Sequence, residues 1–183
     1  MLKIVAAPNN ILTTPALPVT DFGESLQQLI KEMEKTLCAQ TDPPGVGLAA
    51  PQVGVNLTLF ITKPSVKKKD VYAYVNPKIL NKVQSSNTKS SSKSKTQKRK
   101  RQPLEGCLSV ARIWGPVRRA AKVRLEYHTP AGDKKVAWFS GFEATIIQHE
   151  VDHLNGILFT QRVLEQKNLL YEEKDGKLKK MEY

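Results

Sequence analysis

The sequence predicts an α+β fold, in which antiparallel sheets pack around a central helix that has one helix before it and one after it. Three observations support this fold class. Strand-like segments outnumber helical ones, most neighbouring strands adjoin through short turns, and no internal repeat is visible. The chain has 183 residues, of which 40% are hydrophobic, so it is long enough to bury a core as one domain over residues 1–183.

The first predicted element is an N-terminal helix over residues 21–37. Its apolar residues recur at three- and four-residue steps, which is the spacing of one helix face. Asp21 is the candidate N-cap, with Glu24 three residues later, and the turn-forming residues 41–45 end the helix. We expect Cys38, at the end of this helix, to lie in the core.

Four segments show the alternation of β-strands. Leu57, Leu59 and Ile61 share one face of the first segment, which predicts a strand with one buried face. The last two segments are separated by turn-forming residues and predict a hairpin. The segments are residues 56–62, 71–75, 121–128 and 136–139.

Two helices are predicted in the C-terminal third. The central helix begins at Gly141 and runs to about Asn155, where Gly156 suits a C-terminal cap. The C-terminal helix is amphipathic and runs from Thr160 to about Glu172. Residues 173–183 are predicted to be a charged, solvated tail.

Residues 84–102 are predicted to be a disordered, basic, low-complexity loop insertion. This segment contains seven Lys and Arg residues but no acidic and no apolar residue, so it cannot offset the entropy lost on ordering. Because the segment supplies more than half of the formal net charge of +12, the basicity of the chain does not predict nucleic-acid recognition. We therefore expect no specific nucleic-acid partner.

Several features bear on the compartment. No apolar run approaches the ~20 residues that span a bilayer, so no membrane association is expected. Two cysteines cannot build a disulfide framework, which favours a reducing compartment. The first residues lack a secretion signal, which fits a bacterial cytoplasm. The Ser/Lys-rich insertion is more typical of eukaryotic chains, so we favour an organelle of bacterial descent, a plastid or a mitochondrion.

The segment His149-Glu150-Val151-Asp152-His153 predicts a divalent-metal site on the central helix. Residues four apart lie on one helix face, so both imidazoles can bind one cation. Glu150 lies beside the first histidine and can take a proton from a metal-activated water. Phe142 and Ile146 continue the stripe of the two histidines, which predicts a buried face. The chemistry indicated is metal-dependent hydrolysis.

A third metal ligand is needed, and the sequence offers several candidates. The position that holds a further histidine in metzincins is Phe159, whose ring cannot bind a metal. A thermolysin-like site would use Glu172 or Glu173, at roughly the expected spacing but in a charged stretch. His128 lies on a predicted strand and is expected to be exposed. Cys107 is the remaining candidate, because a thiolate binds borderline-soft ions strongly.

Three segments resemble the signature motifs of the peptide deformylase family, and they occur in the family's order. They are residues 45–52 (GVGLAAPQ), 105–109 (EGCLS) and 148–153 (QHEVDH). The opening Lys3-Ile4-Val5 and the pair Asn76-Pro77 are also similar to family members. The resemblance covers about residues 3–170 apart from the insertion, and it is specific because the three motifs are independent of one another.

The resemblance implies one divalent metal ion. Cys107, His149 and His153 would hold it, with a water at the fourth position. The donor set alone favours zinc. Family members often work with Fe(II), and Zn, Ni or Co can also occupy such a site, so Fe(II) is the expected ion in the cell.

The resemblance also implies the reaction. A peptide deformylase removes the N-terminal formyl group from formyl-methionyl nascent polypeptides and releases formate, so residues 1–183 would be a single catalytic domain with its partners near the ribosome. Glu150 would act as the general base and then as the acid. The side-chain amide of Gln52 and the backbone N–H of Leu108 would stabilise the oxyanion.

Substrate-binding residues are implied in the same way. Gly47 would offer backbone contacts to the peptide. The methionine side chain also needs an apolar pocket. Val46 lies on the glycine loop, and Ile146 and Phe142 lie one and two turns before the first histidine of the metal motif. These residues are therefore expected either to line that pocket or to be ordinary core residues. Ala111 stands where family members often have proline, which is a departure at the rim of the peptide site.

Overall fold

The computed structural model describes residues 1–65, 70–84 and 103–182. The predicted insertion over 84–102 therefore lies outside the described residues, apart from Gln84, which follows a strand. The described elements are three α-helices and nine strands, besides short 3-10 helices. In chain order they are α1 (Glu24–Cys38), β1 (Gly47–Ala49), β2 (Leu59–Thr62), β3 (Tyr72–Val83), β4 (Leu104–Cys107), β5 (Val110–Pro116), β6 (Lys122–His128), β7 (Lys134–Ser140), α2 (Gly141–Leu154), α3 (Phe159–Glu165), β8 (Tyr171–Lys174) and β9 (Lys177–Lys180).

The strands form two antiparallel sheets, as the predicted fold class requires. The larger sheet has the order β1-β2-β3-β6-β7, and the smaller one has the order β4-β5-β8-β9. The predicted hairpin is β6–β7, which pairs without interruption from Lys122 opposite Ser140 to His128 opposite Lys134. The α+β fold with antiparallel sheets is confirmed.

Helix α2 lies between the sheets, and this position explains its composition. Ala144 and Ile147 pack with Phe60 and Val123 of the larger sheet in one buried cluster. On its other side, α2 contacts the smaller sheet through His149 beside Glu105 and His153 beside Cys107. Because α2 is covered on several sides, few of its positions can face solvent. Eight of its fourteen residues are buried. The prediction of a central helix is confirmed.

Helix α1 covers the other face of the larger sheet. Leu26, Met33 and Leu37 pack against β1 and β2 in a separate cluster. Burying each such side chain contributes roughly 1.5–3 kcal/mol to stability. Cys38 follows Leu37 but is exposed, so its predicted core position is wrong. The reason is geometric, because consecutive helical residues point about 100° apart and the buried stripe ends at Leu37.

Two predicted boundaries of these elements are also wrong. Helix α1 begins at Glu24 with Gly23 as its N-cap, while the Asp21 carboxylate accepts a hydrogen bond from the Gly23 N–H at 2.8 Å. Asp21 thus forms a turn before the helix rather than its cap. Strand β2 begins only at Leu59, and both of its faces are buried because the sheet is covered by α1 on one side and by α2 on the other.

The C-terminal segment differs most from prediction. Helix α3 ends at Glu165, and the residues expected to continue it and to form a solvated tail instead make the β8–β9 hairpin. Its turn is Asp175-Gly176, and both residues have positive φ values, 53° and 70°. Asp-Gly is the preferred pair for such a two-residue turn. Strand β8 then pairs with β5 through Trp114 opposite Tyr171.

Among the described residues, no helix is both long enough and apolar enough to cross a membrane.

Candidate metal centre and active site

Helix α2 and strand β4 bring together the three predicted metal ligands. His149 and His153, one helical turn apart, have ring centroids separated by 5.0 Å. The Cys107 Sγ lies 3.2 Å from His153 Nε2. One ligand atom from each residue lies within 4.8 Å of the others, so the three can share one ion. These residues form a metal-binding cluster suited to a divalent ion.

The position of Cys107 follows from the β4–β5 hairpin. Cys107 ends β4 and pairs with Val110 across a tight turn. Gly106 precedes it, and a Cβ on Gly106 would lie 2.8 Å from the Trp114 ring, so only glycine fits under that indole. The Trp114 Nε1 donates a hydrogen bond to Glu173 Oε2 at 2.9 Å. The C-terminal hairpin thus supports the strand that carries the thiol.

The donor set and its surroundings fit a metal ion. A thiol and two imidazoles are a common ligand set for zinc and similar ions. The ring of Phe159 stacks on His149 with centroids 6.1 Å apart and limits its movement. Glu172 and Glu173, the ligands of the thermolysin-like alternative, lie outside the ligand cluster within the described part of the chain, and they contact Lys174 and Trp114.

The protonation of the cluster supports metal binding. Burial by itself raises the pKa of the Cys107 thiol, but the neighbouring His153 and His149 outweigh it and hold this pKa well below its usual value. For His149 the signs are reversed. Burial by itself lowers the pKa of this imidazole, but hydrogen bonds with Cys107 and Glu105 outweigh burial and raise the pKa well above its usual value. The two histidines therefore favour the thiolate of Cys107, which is the form of cysteine that binds metals.

A buried carboxylate orients the first histidine. Glu105 Oε2 lies 3.0 Å from His149 Nδ1, which directs the other ring nitrogen of His149 towards the cluster. Arg119 holds Glu105 through two hydrogen bonds of 2.8 and 2.9 Å. Arg119 also contacts Asp152 at 2.5 Å, and Arg162 binds Asp152 at 2.7 Å. A connected chain of charges thus lies behind the metal ligands.

Glu150 lies on the buried side of α2 beside the cluster. Its side chain is buried, and Oε2 has no hydrogen-bond partner among the described residues. Burial raises its pKa to about 7. Gly47 of β1 packs directly over the carboxylate, because a Cβ there would collide with Glu150 Oε1 and lie 2.9 Å from Ile146 Cγ2. The glycine allows the strand to approach this group.

Gln52 faces the cluster from the 3-10 helix Ala50–Val53. Its Oε1 accepts a hydrogen bond from the Ala49 N–H at 2.8 Å, so its amide nitrogen must point the other way. That nitrogen lies 3.4 Å from Cys107 Sγ and 3.2 Å from Ser109 Oγ. Gln52 is 1% exposed, so these contacts are made without competition from water. A neutral donor therefore faces the metal site.

The remaining predicted site residues have different environments. Leu108 is in the turn directly after Cys107, which brings its backbone N–H near the thiol. Val46 is partly buried and Ile146 is buried beside Gly47. Phe142 is 59% exposed, so the prediction that it belongs to the buried stripe of α2 is wrong. It lies in the first turn of the helix, directly after β7.

Sequence reasoning missed the residues that support the ligands. Glu105 and Ser109 belong to the motif EGCLS (residues 105–109), which contains the predicted ligand Cys107. Their closeness to that ligand in the sequence was the feature that could have identified them. Arg119 gave no signal, because an arginine that follows a strand is ordinarily exposed. Asp152 lies inside the histidine motif on the opposite side of the helix from Glu150. Burial raises its pKa, but Arg162 and Arg119 outweigh burial and lower it.

Comparisons with known proteins agree with this geometry. The family model for polypeptide deformylases matches residues 1–169. A curated peptide deformylase from Desulfotalea psychrophila is 32% identical over 177 residues, which cover 95% of this chain and 94% of that protein. A peptide deformylase structure from Thermotoga maritima has a TM-score of 0.73 at 31% identity and covers 88% of this chain and 97% of that one.

A further solved structure, the peptide deformylase from Synechococcus elongatus in complex with actinonin, has a TM-score of 0.75 at 31% identity. The alignment covers 88% of this chain and 79% of that one. The match of the family model over most of the chain, together with relatives above 30% identity, shows the family. This chain belongs to the polypeptide deformylase family.

Proposed function

We propose that the chain, a peptide deformylase enzyme by family, hydrolyses the N-terminal formamide of formyl-methionyl polypeptides with Glu150 as the proton-transfer group. One observation carries this proposal. Glu150 is a buried carboxylate with a pKa of about 7, and it lies beside the cluster of Cys107, His149 and His153. A general base works best when its pKa is near the working pH.

Cys107, His149 and His153 would hold the metal ion. When bound, a divalent ion polarises a carbonyl and lowers the pKa of a water molecule toward ~7. The protein keeps the ligands ready for that ion, because Glu105 fixes the ring of His149 from behind. The buried cluster also limits competing solvent around the reacting formamide.

Glu150 would move the proton twice. Its carboxylate takes a proton from the attacking water as the carbon–oxygen bond forms. The same carboxyl group then gives a proton to the amine as the carbon–nitrogen bond breaks, so that formate and a free N-terminus are released. Gly47 packs closely over the carboxylate and limits its movement on that side, which favours proton transfer in a fixed geometry.

Gln52 and Leu108 would stabilise the negative charge that develops on the formyl oxygen. The amide of Gln52 is already oriented by its bond from Ala49, so little reorganisation is needed. One donor of this kind is worth roughly 3 kcal/mol. The Leu108 N–H follows Cys107 directly and offers a second donor that needs no side chain.

The peptide would bind along β1 with its methionine in an apolar pocket. Gly47 offers backbone groups on that strand. Val46 and Ile146 flank it and are proposed to line the pocket, and the exposed ring of Phe142 is proposed to contact the substrate as well. Actinonin, which is present in the structure of the Synechococcus elongatus enzyme, is proposed to compete for this site.

The ion, the partners and the compartment complete the proposal. We propose Fe(II) as the ion in the cell, with Zn, Ni or Co able to replace it, and nascent chains near the ribosome as the substrates. We place the enzyme in an organelle of bacterial descent because of its Ser/Lys-rich segment, although curated relatives such as the Desulfotalea psychrophila protein are bacterial. Cell fractionation with an antibody tests the compartment, and a bacterial cytoplasmic location would contradict it.

The proposed function is tested with three matched proteins. Wild type, Cys107→Ala and Glu150→Ala are purified under anaerobic conditions, and each is assayed for metal content and for formate release from a formyl-Met peptide. We expect Cys107→Ala to lose metal and activity together. Glu150→Ala should keep its metal and lose turnover. Full hydrolysis by the Glu150 variant would overturn the proposal.

A further inference from the structure

Helix α2 has a second face that the proposed reaction does not use. A cavity of ≈ 500 Å³ lies against it, and we call this the rear cavity. Residues three and four apart lie on one face of a helix. By this spacing the α2 residues that line the cavity form one face, and the α2 residues at the metal centre form the opposite face. The lining residues from α2 are Gln148, Val151, Asp152 and Asn155, whereas Ile146, His149, Glu150 and His153 face the metal centre.

The rear cavity has an excess of positive charge. Five cationic and two acidic side chains line it, which leaves three positive charges. Arg119 and Arg162 are held by Asp152, and Arg162 also contacts Glu165 at 3.0 Å. The other cations are Lys78, Lys82 and Arg118.

No ion pair within the described residues neutralises these three cations. Among the ion pairs of residues 1–65, 70–84 and 103–182, none involves Lys78, Lys82 or Arg118. Glu126 lies opposite Lys78 on β6, but it pairs with Lys134 at 3.0 Å. The remaining residues of the sequence contain no Asp or Glu, so they add no acidic side chain.

The rim of the rear cavity is fixed by hydrogen bonds. The Arg118 N–H donates to Gln166 Oε1 at 2.7 Å, and Gln166 Nε2 donates back to the Arg118 carbonyl at 3.3 Å. Gln148 binds both backbone groups of Ala120 at 3.0 Å. The backbone that carries Arg118 is therefore anchored at both ends of a short segment. Its guanidinium makes no hydrogen bond or ion pair with another residue that the structure describes, so it can bind a ligand.

We propose that the rear cavity binds a small multivalent oxyanion of the phosphate type. Unpaired cations that share one concave site repel each other, and an anion removes that repulsion while forming charge-assisted hydrogen bonds. None of the lining residues is aromatic, so the site offers no platform for stacking a nucleobase. The volume suits a small ligand rather than a polymer.

The proposal is tested with inorganic phosphate and the Zn-loaded enzyme at low ionic strength. Amide chemical shifts in ¹⁵N NMR spectra report where phosphate binds. We expect saturable shifts at residues 118–120 and 166. We expect the Kd to rise about tenfold in Arg118→Ala and in Lys78→Ala/Lys82→Ala, because each variant removes charged hydrogen-bond donors. Arg118→Lys keeps the charge and should retain most of the affinity.

Matched controls separate a defined site from general surface charge. Lys31→Ala/Lys135→Ala removes two charges from exposed positions outside the cavity and should leave the Kd unchanged. Equal weakening in this control would overturn the proposal, as would shifts confined to Gly47, Cys107 and the histidines. Binding of single-stranded RNA without saturable binding of phosphate would also overturn it, as would the absence of saturable shifts.

Discussion

Replacement of Gly47 by alanine should disable catalysis without removing the metal ion. An ideal Cβ at this position would lie 2.8 Å from Glu150 Cδ and 2.9 Å from Ile146 Cγ2. Carbon atoms prefer separations of about 3.5–4.0 Å, so the buried carboxyl group must move by roughly 0.5–1 Å. A misplacement of about 1 Å can cost ~100-fold in rate, so kcat should fall about 100-fold.

The assay for Gly47→Ala combines kcat, KM, metal content and thermal unfolding. Gly45→Ala is the matched control, because its Cβ would lie 2.6 Å from Leu37 Cδ1 and 2.9 Å from the Leu37 carbonyl oxygen, away from Glu150. The control should lose about 1–3 kcal/mol of stability and keep its kcat per bound metal. A Gly47→Ala enzyme with normal kcat, or one whose activity falls only in proportion to lost metal, would show that close packing of Gly47 on Glu150 does not matter for turnover.

Three further predictions concern the metal centre. Glu150→Gln should keep its metal and lose about 10²–10⁴-fold in kcat, as measured by formate release; loss of the metal would contradict the assigned role. Glu105→Gln should bind metal about 10–100-fold more weakly in chelator competition, because His149 loses its orienting carboxylate; unchanged affinity would contradict this. The raised pKa of His149 means that metal must displace a proton. Metal affinity should therefore fall as the pH is lowered, and calorimetry in buffers of different ionisation enthalpy should detect proton release at neutral pH.

The metal centre was predictable because its residues lie in short motifs. Two histidines that are four residues apart lie on the same face whenever the segment is helical. The spacing of the apolar residues predicted that helix. Cys107 required more, because its approach to the histidines depends on the β4–β5 hairpin and on Gly106 beneath Trp114. The resemblance to a family, rather than local pattern, identified it as the third ligand.

The supporting residues and the C-terminal hairpin were not predictable in the same way. Arg119 is buried because it forms ion pairs with Glu105 and with Asp152, which lie on two different elements. No local spacing in the sequence predicts these ion pairs. The charged composition of residues 173–183 favoured a solvated tail, whereas pairing of β8 with β5 and of β8 with β9 decides the structure. The Asp175-Gly176 turn was the signal that could have predicted the hairpin.

Product analysis with formyl-Met-Ala-Ser tests the central claim most directly. The metal-loaded enzyme is incubated with this peptide under anaerobic conditions, and formate and peptide products are quantified by mass spectrometry and an enzymatic formate assay. We expect equal amounts of formate and intact Met-Ala-Ser, with no product in Cys107→Ala. Cleavage between Met and Ala, or no formate from a fully metal-loaded wild-type enzyme, would contradict it.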